Sequence, residues 1–299
     1  MLGLPNEAYP FEANKFKLAS GVELAYLDEG DKKEDAPCML MVHGNPTWSF
    51  YYRNLVRGFS EKMRCVVPDH IGCGQSDKPQ DYNYTLKQHI DNLEALITSL
   101  DLNKIVLVLH DWGGAIGMGL AVRYPEKIKG LIILNTAAFY SPRIPFRIQV
   151  CKWPVIGTFI NRGLNGFVLA AVTMATAKGK SLSPEVAKTL ISPYDSWKNR
   201  IAIDSFVKDI PVKDEDAAYA PLQEIENNLS LFKTTPKIIL WGAQDFCFND
   251  SFYKKWLEVY PDAESHYYED GGHYILEDCI EEIKMQIEKF LPKVQSVEL

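Results

Sequence analysis

The chain has 299 residues, 46% of them hydrophobic and 24% charged, which is enough apolar material for a large core in one domain carrying an insertion. A formal net charge of -7 argues against a nucleic-acid partner and does not favour an acidic membrane surface, although it leaves room for a local basic patch. The longest apolar run, Phe167 to Ala177, is well short of the roughly 20 residues that a bilayer span requires.

Cys38, Cys65, Cys73, Cys151, Cys247 and Cys279 are dispersed, with no Cys-x-x-Cys pair, and read as reduced, mostly buried thiols. Met1 to Phe11 lacks a basic flank followed by an apolar core, so no secretion signal is read there. The expectation is a soluble cytoplasmic protein without a transmembrane segment.

Short apolar, β-rich runs alternate with helix-length segments along the chain. Strands are expected near 15–19, 22–28, 38–42, 64–68, 104–109, 129–134, 237–241 and 265–269. Helices fit near 47–58, 86–100, 114–124, 250–259 and 277–290. This alternation predicts an α/β fold with a mainly parallel eight-stranded sheet, covered on both faces.

After Asn135 the alternation breaks. From about Phe139 to Leu231 the sequence turns helical and aromatic, punctuated by Pro142, Pro145, Pro154, Pro184, Pro193, Pro211 and Pro221. An excursion of that length is too long for a loop and predicts a helical cap over the carboxyl edge of the sheet. The domain boundaries follow: a first core part at 1–138, the cap at 139–231 and a second core part at 232–299. Phe146, Trp153, Phe159, Phe167, Trp197, Phe206 and Tyr219 are expected to line an apolar pocket beneath the cap.

His110-Asp111-Trp112-Gly113-Gly114 follows the apolar run Ile105 to Leu109 and precedes a helix-like stretch. A sharp strand-to-helix turn of this kind, with glycine where side chains would collide, presents a nucleophile in the α/β-hydrolase fold. Serine is usual there, but here the position is Asp111. A carboxylate attacks an electrophilic carbon and leaves an ester, which points to C–halogen, epoxide or strained-ring substrates.

The expected base is His273, in the glycine-rich turn Asp270-Gly271-Gly272-His273-Tyr274 after the last strand. His43, His70 and His110 read as satisfied polar groups, and His89 and His266 as surface positions. Asp245, after the strand at 237–241, is the carboxylate expected to orient the histidine; the rival site after the strand at 129–134 holds Asn135, which carries no charge. Trp112 and Asn45 offer side-chain N–H groups to a leaving anion, while their backbone amides suit an oxyanion. No metal-ligand spacing or phosphate-binding loop is apparent, so no metal or cofactor is expected; Gly72-Cys73-Gly74-Gln75-Ser76-Asp77 reads as a structural turn.

His43-Gly44-Asn45-Pro46-Thr47-Trp48, Pro68-Asp69-His70-Ile71-Gly72 with Ser76-Asp77-Lys78-Pro79, His110-Asp111-Trp112-Gly113-Gly114 and Gly272-His273 together resemble the haloalkane dehalogenase group of α/β-hydrolases. The resemblance implies Asp111 as nucleophile, His273 as base, and Asn45 with Trp112 as the halide-stabilising pair. A closer resemblance is carried by Ser192-Pro193-Tyr194-Asp195-Ser196-Trp197-Lys198-Asn199-Arg200-Ile201, Phe206-Val207-Lys208-Asp209-Ile210-Pro211, Asp245-Phe246-Cys247-Phe248 and His273-Tyr274-Ile275-Leu276-Glu277-Asp278. These segments resemble the β-lactone decarboxylases of long-chain olefin biosynthesis. That resemblance implies cleavage of a cis-β-lactone with two alkyl arms to an alkene and carbon dioxide, and a β-lactone synthetase as partner. The early cap, Tyr140 to Lys180, departs from the pattern, so chain-length preference and partner contacts stay unassigned.

Haloalkane hydrolysis is the alternative, because the catalytic residues are shared. Epoxide hydrolysis is weaker and would need proton donors such as Tyr140, Tyr194 or Tyr219. A non-catalytic ligand receptor is the reading from a different class.

Overall fold

A computed structural model describes residues 9–33 and 37–295. Most of the amino-terminal stretch read for a secretion signal, residues 1–8, lies outside them.

Eight strands form one sheet: β1 (Asn14–Lys17), β2 (Glu23–Glu29), β3 (Cys38–Val42), β4 (Arg64–Pro68), β5 (Ile105–Asp111), β6 (Ile128–Thr136), β7 (Lys237–Gly242) and β8 (Glu264–Tyr268). Their spatial order is β1-β2-β4-β3-β5-β6-β7-β8. Only β1 with β2 and β2 with β4 pair antiparallel; every later pairing is parallel. Central parallel strands are buried on both faces and so read as unbroken apolar runs, which is why β3 and β5 were legible. Leu40, Leu107 and Ile133 face one core layer, and their neighbours Met39, Val106 and Ile132 face the other, as the two-residue side-chain period demands.

The helices of the core are α1 (Arg53–Phe59), α2 (Leu86–Ser99), α3 (Trp112–Arg123), α10 (Asp250–Val259), α11 (Ile275–Asp278) and α12 (Ile280–Gln295). Between β6 and β7 lie α4 (Phe146–Lys152), α5 (Ile156–Thr158), a single π-helical turn at Phe159–Gly163, α6 (Gly166–Met174), α7 (Pro184–Ile191), α8 (Ile201–Asp209) and α9 (Tyr219–Asn228). This inserted layer is tied to the core at a helix start, where Asp209 Oδ2 accepts the Leu86 N–H at 2.7 Å and Thr85 caps α2. Among the described residues no helix is long and apolar enough to cross a membrane. All six cysteines are free; Cys38, Cys65, Cys73 and Cys279 are buried, and Cys151 and Cys247 partly so.

Candidate active site

Asp111 ends β5 at φ 53° and ψ -130°, and the chain turns there directly into α3. Positive φ is strained for a residue with a side chain, so the neighbours must leave room for the turn. Glycine supplies it: a Cβ on Gly44 would strike the Asp111 carboxylate, and one on Gly113 would strike the Val42 carbonyl. The Thr136 hydroxyl donates to the Asp111 carbonyl and braces the turn from β6.

The two carboxylate oxygens of Asp111 have different surroundings. Oδ1 accepts the Asn45 backbone N–H at 2.6 Å, and the Trp112 amide also bonds the carboxylate. Oδ2 stands 3.6 Å from His273 Nε2, beyond hydrogen-bond length. Oδ1 is thus held by the Asn45 amide, one of the two that suit an oxyanion, and Oδ2 is the oxygen that faces His273.

His273 Nδ1 lies 2.7 Å from Asp245 Oδ2. The other Asp245 oxygen accepts the N–H groups of Cys247 at 2.7 Å and Phe248 at 3.0 Å, so the acid is fixed at both oxygens. Burial works to lower the His273 pKa, but the charge and hydrogen bond of Asp245, helped by Asp111, outweigh it and leave it raised. At Asp111 burial is the largest influence and raises the carboxyl pKa, against the lowering effects of His273 and the two amides.

The loop that presents His273 is held from three directions. His110 Nε2 donates to the His273 carbonyl at 2.8 Å, Asp278 Oδ2 accepts the N–H groups of Gly272 and Ala177 at 2.8 Å, and the Tyr274 N–H reaches Ala175 O at 2.7 Å. Sequence reasoning missed His110 and Asp278 in these roles, and no spacing signal marks them.

Above Asp111 lies a cavity of about 340 Å³. Asn45, Trp112 and His273 line it from the core, and Phe167, Ala171 and Met174 from the inserted helices. The Asn45 side-chain Nδ2 donates to Ile203 O at 3.3 Å, which spends one of its two N–H groups and leaves one for the cavity.

Residues 37–155 match the alpha/beta hydrolase fold family. Over 294 residues the chain is 45% identical to the cis-3-alkyl-4-alkyloxetan-2-one decarboxylase of Shewanella oneidensis, covering 96% of this chain and 91% of that protein. It is 36% identical over 296 residues to the decarboxylase of the same name from Xanthomonas campestris, covering 95% and 97%. The chain belongs to this decarboxylase family. The fold is also similar to a solved haloalkane dehalogenase, DatA of Agrobacterium tumefaciens, with a TM-score of 0.84, 26% identity and coverage of 97% and 100%.

In this member of the decarboxylase family three sequence expectations need correction. Of the cap aromatics expected around the pocket, only Phe167 lines it. Phe146, Trp153, Phe159 and Trp197 face solvent, Tyr219 packs on Tyr140, and Phe206 is buried behind Trp112. Composition marks such residues as apolar, but which side of a short helix they occupy depends on packing that no periodicity reveals.

The tyrosines considered as epoxide proton donors are also elsewhere. Tyr140 OH donates to Val212 O, Tyr194 OH to Thr47 O, and none of Tyr140, Tyr194 and Tyr219 lines the cavity.

His89 is not at the surface. It shares the inward face of α2 with Leu86, Ile90 and Leu93, and its ring stacks on Phe206 at 4.5 Å, where burial pushes its pKa well down. The other expected surface histidine, His266, is half-buried beside Glu264.

Proposed function

We propose that this protein cleaves a cis-β-lactone bearing two alkyl chains into an alkene and carbon dioxide. Asp111 is the nucleophile, Asp245 and His273 complete its triad, and Asn45 with Trp112 stabilises the leaving anion. The observation that carries this reading is the division of labour at Asp111: one oxygen is anchored on the Asn45 backbone amide, the other faces His273, and the residue lines an apolar cavity. Such a site suits an uncharged hydrophobic electrophile. The 45% identity to the Shewanella protein favours the lactone among such electrophiles.

In the proposed reaction Asp111 Oδ2 attacks the lactone carbon that carries the ring oxygen, and the ring C–O bond breaks to leave a free carboxylate. The side-chain N–H groups of Asn45 and Trp112 receive that charge. The C–C bond to the carboxylate then breaks, its electron pair forms the double bond, and the bond to Oδ2 breaks to restore the Asp111 carboxylate. Attack inverts one carbon, and anti loss of the two groups leaves the alkyl chains cis. No water or proton is consumed.

Haloalkane hydrolysis is the second reading, favoured by the structural likeness to DatA. There the alkyl ester on Asp111 has no carboxylate to lose and needs water, with His273 as base and the Asn45 and Trp112 amides stabilising the oxyanion.

Residues 139–231 act in this proposal as the cap that closes the cavity. The substrate implies an upstream β-lactone synthetase as partner, and the free thiols support a reducing cytoplasm as the compartment.

The test measures alkene and carbon dioxide from a synthetic cis-dialkyl β-lactone beside bromide release from 1-bromohexane. Much faster lactone turnover is expected. Rapid bromide release beside an inert lactone would overturn the lactone reading.

A further inference from the structure

Between Glu126 and Glu185 the chain contains no carboxylate side chain, although its net charge is -7. Arg143, Arg147, Lys152, Arg162, Lys178 and Lys180 fall in that stretch. The same stretch exposes Phe146 (70%), Trp153, Val155 (81%), Ile156, Phe159 (57%) and Leu164. Isolated exposed apolar side chains are ordinary, but a contiguous group of this size is not.

These residues form one surface. The Phe146 and Trp153 rings lie 6.5 Å apart, and α4, α5, the π-helical turn and α6 pack one on the next. Val155 is 81% exposed and is held at φ 63° and ψ -60° by a bond of 2.6 Å from Ile156 N to Pro154 O. A β-branched residue in that conformation is strained, and here the turn keeps its isopropyl group in water.

The patch borders the cavity mouth. Arg143, Arg147, Ile148 and Ile160 line the cavity from the segments that carry Phe146 and Phe159 on the outside. Lys180 pairs with Asp270 at 3.0 Å, but among the described residues Arg143, Arg147 and Arg162 form no ion pair with a carboxylate. Arg162 bonds Trp197 O at 3.1 Å and Gln80 Oε1 at 2.9 Å, with its guanidinium 4.7 Å above the Trp197 ring.

We infer that this face, Arg143 to Leu169, docks the protein on an anionic phospholipid surface. Aromatic and aliphatic side chains fringed by unpaired cations match the depth profile of a charged bilayer surface, where apolar groups enter the headgroup boundary and cations meet lipid phosphates. A water-exposed protein face would have to supply both a large apolar area and the missing acids. The orientation sets the cavity mouth against the lipid. On the lactone reading, that is where a long-chain substrate dissolves and where the hydrocarbon product goes.

The test is cosedimentation of the full chain with phosphatidylcholine vesicles, with and without about 30% phosphatidylglycerol, at low and high salt. Binding at least about tenfold stronger to the anionic vesicles is expected, weakening as salt screens it. Val155→Ser/Ile156→Ser/Phe159→Ser and, separately, Arg162→Glu alter residues outside the cavity lining, so each should lose most of the binding while bromide release from a short bromoalkane in solution is unchanged. Brominated lipid should quench the wild type more than Trp153→Phe, a comparison that survives if the triple variant misfolds. Equal recovery with neutral and anionic vesicles would overturn the inference, as would a wild type that stays in the supernatant or light scattering that shows the patch closing a dimer. None of these readouts uses the lactone, so an inert lactone would overturn the reaction and leave the docking result standing.

Discussion

Asn135 clasps the backbone of Gly242 with both ends of its carboxamide: Nδ2 donates to the Gly242 carbonyl at 3.0 Å and Oδ1 accepts its N–H at 2.8 Å. The regular pairing of β6 with β7 stops at Ile133 and Ile239, so this fully buried side chain continues the sheet where the ladder has ended. Gly242 also meets the histidine loop, since a Cβ there would strike the Gly272 carbonyl. The clasp therefore sets the point from which the chain leaves toward Asp245, and the rival acid position is occupied by a structural amide.

Asn135→Asp should destabilise the fold by about 1–3 kcal/mol, because a carboxylate cannot donate to the Gly242 carbonyl and leaves that buried acceptor unpaired. It should also fail to rescue Asp245→Asn, since its oxygens remain beside Gly242. Urea unfolding gives the first quantity and turnover of the double variant the second. Recovery of activity in the double variant would show that a carboxylate at 135 reaches His273.

With 1-bromohexane, whose alkyl ester on Asp111 needs His273 as base, Asp245→Asn should lower turnover by about two to four orders of magnitude with little change in substrate binding. The amide can still accept the Cys247 and Phe248 N–H groups, so the loop should hold, but the imidazole loses its orienting charge. Steady-state kinetics should show kcat and KM falling together as the ester accumulates, with the single-turnover rate of bromide release little changed. An unchanged kcat would mean that another carboxylate serves His273.

Trp112→Phe should slow leaving-group departure by about 10²- to 10³-fold while keeping the ring that packs 5.5 Å from Phe206. Because Asn45 already bonds Ile203 O, Asn45→Ala should also loosen the contact with α8 and lower thermal stability, an effect absent from Trp112→Phe. Rapid-quench kinetics and thermal melts distinguish the two losses. A Trp112→Phe rate equal to wild type would reduce the indole to a packing group.

Most of the sheet and the residues that meet at Asp111 were legible because each carries a local signature: apolar runs for β3 and β5, glycines around a turn, a histidine after the last strand. What was illegible depends on direction. His89 sits three residues after Leu86 and four before Leu93, a helical spacing that already put it on the buried face of α2, yet its polarity argued for the surface. The cap aromatics failed for the opposite reason: apolar identity argued for the pocket, but short segments joined by proline turns carry too little periodicity to fix which side faces inward. The bonds from Asn135 to Gly242 and from Asp278 to Gly272 join positions that only the folded sheet brings together.

The raised pKa of His273 sets a pH dependence for the alkyl ester route. The base must be neutral, so at a fixed state of Asp111 the rate rises with pH through the histidine pKa. In the free protein Asp245 and Asp111 both push that pKa up against the lowering effect of burial. Esterification neutralises Asp111 and removes one raising influence, so the limb for ester hydrolysis should lie at lower pH than the titration of His273 in the free protein. NMR titration of the imidazole and single-turnover hydrolysis of the 1-bromohexane adduct give the two midpoints. An ester limb at higher pH would mean that the Asp111 charge does not act on His273.

His273→Ala should separate the two candidate reactions on one protein. With 1-bromohexane, Asp111 can still displace bromide, because that step needs no base, but the ester then lacks a base to activate water. Intact-protein mass spectrometry should show one alkyl adduct per chain, on the peptide containing Asp111, and turnover should stop. With a cis-dialkyl β-lactone the covalent intermediate carries its own exit: loss of carbon dioxide supplies the electron pair that expels the Asp111 carboxylate. Alkene should therefore keep forming over many turnovers, more slowly than in wild type because the imidazole no longer faces Oδ2 at 3.6 Å. A stoichiometric lactone adduct that accumulates without alkene would mean that the intermediate is opened by water under control of His273, and the decarboxylation sequence drawn here would have to be abandoned.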